Sequence, residues 1–213
     1  MRDLVKIVGM IVLMLLLASC ASKNKVLPVP LSATLAVAGF SQPVHGWEVL
    51  DGHLPEDMKA VPSDAIGFMD EALALRLSKR TEATPYLGPG VVRQCREILL
   101  AKQNRSRVSA VPFWMEVGRC VSADYLLVPC IFHWQKRQGS AWGVNQPAGL
   151  MMDLYLIDLT NETLKRAHYE EVQHSLTEDI FDASTFFKRK GQWITVEQMG
   201  REGLAHCLEE LGL

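Results

Sequence analysis

Apolar positions fall along this chain in distinct rhythms. Between Ser63 and Arg80 they recur every three or four residues, at Ile66, Met69, Leu73 and Leu77, which marks one face of an α-helix. Ser63 is a capping residue type at its start, and Lys79-Arg80 suits the negative end of the helix dipole. Residues 91–104 repeat the pattern, with Val91, Cys95, Ile98 and Lys102 on one ridge. A shorter helix is expected over 112–121, with Pro112 in its first turn. From 123 the rhythm changes to strands. "ADYLLVPCIFHW", "AGLMMDLYLIDL" and "LKRAHYEEVQHSL" are joined by a glycine-containing loop at 138–146 and by the turn "TNET", which predicts an antiparallel meander. Pro129 cannot donate to a ladder and belongs at an edge or a bulge.

An earlier apolar stretch, 34–40, reads as a buried strand. Residues 41–62, broken by Gly46, Gly52, Pro43, Pro55 and Pro62, read as a long loop of the kind that carries binding residues. The last helix opens on Thr195-Val196-Glu197-Gln198, a capping box in which the glutamine is expected to reach back. It presents Val196, Met199, Gly203 and Cys207 beside Gly200, Leu204, Leu208 and Leu211. The order β–α–α–α–β–β–β–α predicts an α/β (α+β) fold. It has a mixed four-stranded sheet with an antiparallel C-terminal meander and helices packed on it.

At the N-terminus there is no rhythm. Ile7 to Ala18 is almost unbroken apolar sequence behind Arg2 and Lys6. As a helix this run would rise about 18 Å, short of the roughly 20 residues a membrane span needs, so residues 1–19 read as a signal peptide. Leu17-Ala18-Ser19-Cys20 resembles the lipobox of bacterial lipoproteins. That resemblance implies transfer of a diacylglyceryl group to the Cys20 sulfur, cleavage before Cys20 and acylation of the new amine. Small residues at 18 and 19 admit the backbone to a narrow protease site, and several acyl chains hold far more firmly than one. Ala21 stands where the enterobacterial sorting pattern places aspartate for inner-membrane retention. An outer-membrane lipoprotein facing the periplasm is therefore expected, with membrane lipid as its first partner.

Residues 20–32 read as a lipidated tether, in which Ser22–Ser32, with Pro28 and Pro30, could extend roughly 30 Å, and 33–213 as a single periplasmic domain. The full chain carries a formal charge of −2, and loss of Arg2, Lys6 and Asp3 with the signal peptide makes it −3. That balance gives no support to nucleic-acid binding.

Candidate chemistry is sparse. Cys95, Cys120, Cys130 and Cys207 show no C-x-x-C spacing, so thioredoxin and common zinc frameworks are absent. Outside the cytoplasm these thiols are free to form disulfides, with three connectivities open for two bridges, or to remain as buried thiols. The histidines at 45, 53, 133, 168, 174 and 206 form no H-E-x-x-H or H-x-H motif. Strand register would set His133 and His174 either side of Gly149, a possible metal or pH-sensing pair. His45 and His53 share the 41–62 loop with Glu48, Asp51, Glu56 and Asp57. Asp153 and Asp158 are an odd number of residues apart on one strand and face opposite ways. Two basic clusters, Lys102-Arg105-Arg107 and Lys188-Arg189-Lys190 near Phe186, Phe187 and Trp193, are candidates for anionic envelope partners. No catalytic, cofactor or metal residue is assigned, and an enzyme is not expected.

The run "ADYLLV", then "LMMDLYLIDLTNETL", then "HYEEVQHSL" and a closing helix resembles envelope domains of the CsgG, LpoB and TolB-N-terminal type. Asp124, Tyr125, Asp158 and the turn at 160–163 are the recognisable points. Pro129 and Cys130 depart from that pattern. The resemblance implies a non-catalytic scaffold or protein-interaction module, with an envelope protein or a second copy of the chain as partner. Trp142, in "QGSAWG", is the candidate contact residue. The alternative is a periplasmic metal-binding protein or enzyme using the loop and strand histidines.

Overall fold

Strand β2 (Tyr125–Gln135) is the axis of the fold. The computed structural model describes residues 27–80, 86–102, 109–174 and 189–213; Cys20 and the apolar run before it lie outside them. On one side β2 pairs antiparallel with β5 (Gly149–Asp158), which pairs antiparallel with β6 (Thr163–Val172). On the other it pairs parallel with the short β1 (Leu35–Val37). The mixed sheet therefore runs β1–β2–β5–β6, with the expected C-terminal meander. The loop before β5 holds a separate two-stranded ribbon, β3 (Gln138–Gly139) with β4 (Val144–Gln146).

Helices cover both faces. Helix α1 (Ser63–Arg80) and α4 (Val196–Leu211) form one core with Leu150, Met152, Leu154 and Leu156 of β5. Helices α2 (Pro89–Lys102) and α3 (Ala110–Cys120) form a second with Tyr155 and Ile157 of the same strand. Burial of both faces is why β2 and β5 read as nearly continuous apolar runs rather than as alternating ones. The approach of α4 to β6 is set by Gly203, where a Cβ would lie 2.5 Å from the Tyr169 ring.

Pro129 lies in a central strand, yet in a place that suits it. Ala38 N–H donates to Leu127 O, Ser41 N–H donates to Pro129 O, and Ile131 N–H donates to Ser41 O. One residue more than a regular ladder needs lies between Ala38 and Ser41. The missing Pro129 N–H thus faces a bulge, where Gly39 takes a φ of +76°.

Three local expectations need correction. The α2 ridge was expected to bury Val91 and Ile98 with Cys95; both are exposed, and Val92 and Cys95 are the buried pair. Thr195 does cap α4, accepting from Gln198 N–H. The Gln198 side chain, however, runs down the helix to Glu202 instead of reaching back. At Gly149 the register of both hairpins is offset by two residues: it pairs with Gln135 and Val172, not with His133 and His174. The offset is even throughout β5/β6 and keeps those side chains on their expected faces; across β2/β5 the bulge between Ile131 and His133 leaves an offset of one residue over 125–131.

Of the alternatives open for the cysteines, Cys95 and Cys120 form a disulfide that clips α2 to α3, while Cys130 and Cys207 are free and buried. Among the described residues, the segment read as tether is held to the body at Val29. Its N–H donates to Gly212 O just past the end of α4, and its side chain joins the α1/α4 core.

Candidate functional site

Three arrangements could carry function, and the first of them has no counterpart in the sequence analysis. The first is a polar centre under β5. Asp153 is 1 % exposed. Its Oδ1 lies 2.6 Å from His168 Nδ1, and its Oδ2 accepts from the Tyr155 hydroxyl at 2.8 Å and from Arg166 at 2.9 Å. The Tyr155 hydroxyl shares its one proton between that carboxylate and the backbone carbonyl of Asp51, also at 2.8 Å, which ties the 41–62 loop to the sheet. Burial and the neighbouring Asp153 push the Tyr155 hydroxyl well above its usual range. Cys130 pairs with Asp153 across the ladder, and burial with that carboxylate pushes its thiol up to about 12. A thiol held protonated is a poor nucleophile. On His168 the second ring nitrogen faces Glu170 at 3.6 Å, not a hydroxyl or thiol. The centre links β5, β6 and the 41–62 loop. Asp158, as expected, does not converge on it. Its carboxylate closes the turn after β5 by accepting from Thr160 N–H, Asn161 N–H and the Asn161 amide.

The second arrangement is a cleft between the start of the 41–62 loop and the α2/α3 pair. Its volume is about 330 Å³. Trp47, Phe113, Trp114, Leu100 and Val128 wall it, and Arg96 reaches it from α2. Loop 41–62 is held in shape by Gln42, whose amide donates to Lys59 O and accepts from Val61 N–H, so the two ends of the loop are latched. Glu48 turns the chain by accepting from Val44 N–H and His45 N–H. The sequence marked this loop as a binding segment; the opposing wall comes from helices that sequence spacing could not bring against it.

The third is the ribbon that carries Trp142. The indole is 75 % exposed in the turn between β3 and β4. Ser140 Oγ accepts from Trp142 N–H and Gly143 N–H, fixing the turn. The ribbon is fastened to the body, because Trp193 N–H donates to Ala141 O and Arg137 donates to Trp193 O.

The remaining expected residues are dispersed. His133 lies beside Gly149, its Nε2 3.2 Å from where a Cβ would stand there, whereas His174 is exposed beyond the end of β6. His45 stacks on Trp47, and His206 lies near the Tyr169 ring on the far face of the sheet. Among the described residues no group of three His, Cys, Asp or Glu side chains is placed to hold a metal ion. The basic cluster at 188–190 also needs correction. Arg189 is not a surface cation but is buried between Glu171 and Glu202, 2.7 Å from the latter. Arg105, Arg107, Phe186, Phe187 and Lys188 lie outside the described residues.

No protein-family model matches the chain, and no curated protein sequence does. Solved structures similar to it include the PelC dodecamer from Paraburkholderia phytofirmans, with 12% identity over 89% of this chain and 94% of that one and a TM-score of 0.47. The LpoB C-terminal domain from Salmonella enterica is 9% identical over 68% and 86%, with a TM-score of 0.36. Lipoprotein GNA1162 from Neisseria meningitidis is 12% identical over 75% and 99%, also with a TM-score of 0.36. No residue role is taken from any of them.

Proposed function

We propose that the chain is an outer-membrane lipoprotein, held by acylated Cys20, whose periplasmic domain is a non-catalytic protein-interaction module. The observation that carries this reading is Trp142. An indole left 75 % exposed costs solubility, and here the ribbon beneath it is fixed by hydrogen bonds to the body. A rigid, exposed tryptophan is the residue type that anchors protein interfaces, because it brings large apolar area to a partner with little entropy left to lose. The Cys95–Cys120 disulfide supports an oxidising compartment, in keeping with export. The most reactive side chains are engaged or silenced: Asp153 is fully bonded and the Cys130 thiol stays protonated.

In-cell photo-crosslinking from position 142 tests the reading. A benzophenone residue there should give one discrete adduct in the envelope fraction, and Trp142→Ala should lose the same partner while melting within about 0.5 kcal/mol of the parent. An adduct at twice the chain mass makes that partner a second copy. A smear with no discrete adduct contradicts the proposal.

A further inference from the structure

We propose that the cleft between the 41–48 segment and α2/α3 binds a small organic monoanion, a carboxylate on a flat or apolar body. The cleft is of ligand size: about 330 Å³, with an adjoining lobe of about 360 Å³ that shares Ser41, Gln42, Arg96 and Trp114 with it. Its aromatic walls suit a planar or apolar body.

The polar groups around the cleft are nearly all spoken for. The Gln42 amide is committed to Lys59 and Val61, Glu48 Oε2 to two backbone amides, and the Ser41 backbone to Pro129 and Ile131. Arg96 is the exception. Among the described residues its buried Nε has no hydrogen-bond partner and its guanidinium makes no ion pair. Leaving a buried guanidinium N–H unmatched is costly, and a carboxylate is the group whose geometry answers its fork.

Neighbouring charges narrow the choice. Asp70 lines the adjoining lobe with Arg93, and its Oδ1 accepts from Phe40 N–H at 2.6 Å. The anion therefore fits the first lobe, away from Asp70. Glu48 lines that first lobe and would oppose a second negative charge, which favours a monoanionic carboxylate over a phosphate dianion.

The test uses the full chain purified in detergent, with 3-phenylpropanoate and its neutral amide as probes, read by calorimetry and ligand-observed NMR. Saturable binding of the carboxylate is expected, with the amide weaker by about tenfold or more, the scale of one charge-assisted hydrogen-bonded pair. Arg96→Gln should weaken carboxylate binding by a similar factor, and Arg93→Gln should leave it within about twofold. If Arg96→Gln does not fold, the acid-to-amide comparison on the unaltered chain decides alone. Equal binding of acid and amide, no saturable binding up to millimolar probe, or unchanged binding by a folded Arg96→Gln overturns the proposal. Because the readout needs neither partner nor lipid, it fails independently of the interaction role proposed for Trp142.

Discussion

Asp153 accepts from His168, Tyr155 and Arg166 in the middle of an otherwise apolar strand, so its removal strands three groups at once. Arg166 and His168 keep about a third and two-fifths of their side-chain surface, and can rehydrate. Asp153→Ala should therefore cost about 2–3 kcal/mol, below the 3–5 of a wholly buried pair. A lowered urea midpoint checks this, and an unchanged one would mean that the strands do not depend on the centre. The ion pair of Glu171 with Arg189 is more enclosed, with the arginine side chain only 7% exposed. Burial alone would push the Glu171 carboxyl up, but hydrogen bonds from Arg189 and Tyr169 outweigh it and hold it below the usual range. A carboxyl whose folded value lies below its unfolded one stabilises the fold above the unfolded value and loses that contribution as the pH drops through the folded one. Stability should thus decline from about pH 5 towards pH 3, and Arg189→Gln should flatten that part of the profile while lowering the plateau above it. A profile of identical shape in both proteins would rule out the pair as its source.

At the scale of elements, the α2–α3 pair is held by its disulfide as well as by packing. The bridge spans 25 residues, so its loss should destabilise by about 3 kcal/mol through the freer unfolded chain. A Cys95→Ser/Cys120→Ser protein is the variant to compare, and a melting temperature unmoved from the parent would contradict this. The same helix shows where sequence patterning stops being informative. Val91, Val92, Cys95, Ile98 and Leu99 satisfy helical spacing along two adjacent ridges, and only the sheet beneath decides which is buried. The sheet was more legible. Long apolar runs and turn residues marked β2, β5 and β6. Because the turn before Thr163 shifts pairing by two residues and not one, the faces of β6 agree with the expected ones even though the partners do not, whereas the bulge in β2 leaves most of that strand one residue off. Arg96 and Asp153 could not be recognised as centres from spacing, since each meets groups distant in the chain. A lone aspartate inside an apolar strand was the available signal for Asp153.

Taken whole, the molecule brings residues 27–29 and the end of its last helix together. Val29 joins Gly212 by a backbone hydrogen bond, and Gly212 holds a φ of +76° where a Cβ would press within 2.9 Å of Leu27 and Pro28. From Leu27 back to Cys20 a fully extended chain reaches about 25 Å, so an acylated Cys20 would hold the C-terminal end of α4 close to the bilayer. On the proposed reading, the anchor would set both where the domain works and how it is oriented. The measurement that bears on it most directly is the mass of the protein isolated from its native membrane. The account predicts a chain beginning at Cys20 and carrying the added mass of a diacylglyceryl group and an amide-linked acyl chain. A chain that retains Met1, or one that begins elsewhere with no fatty mass, would contradict it.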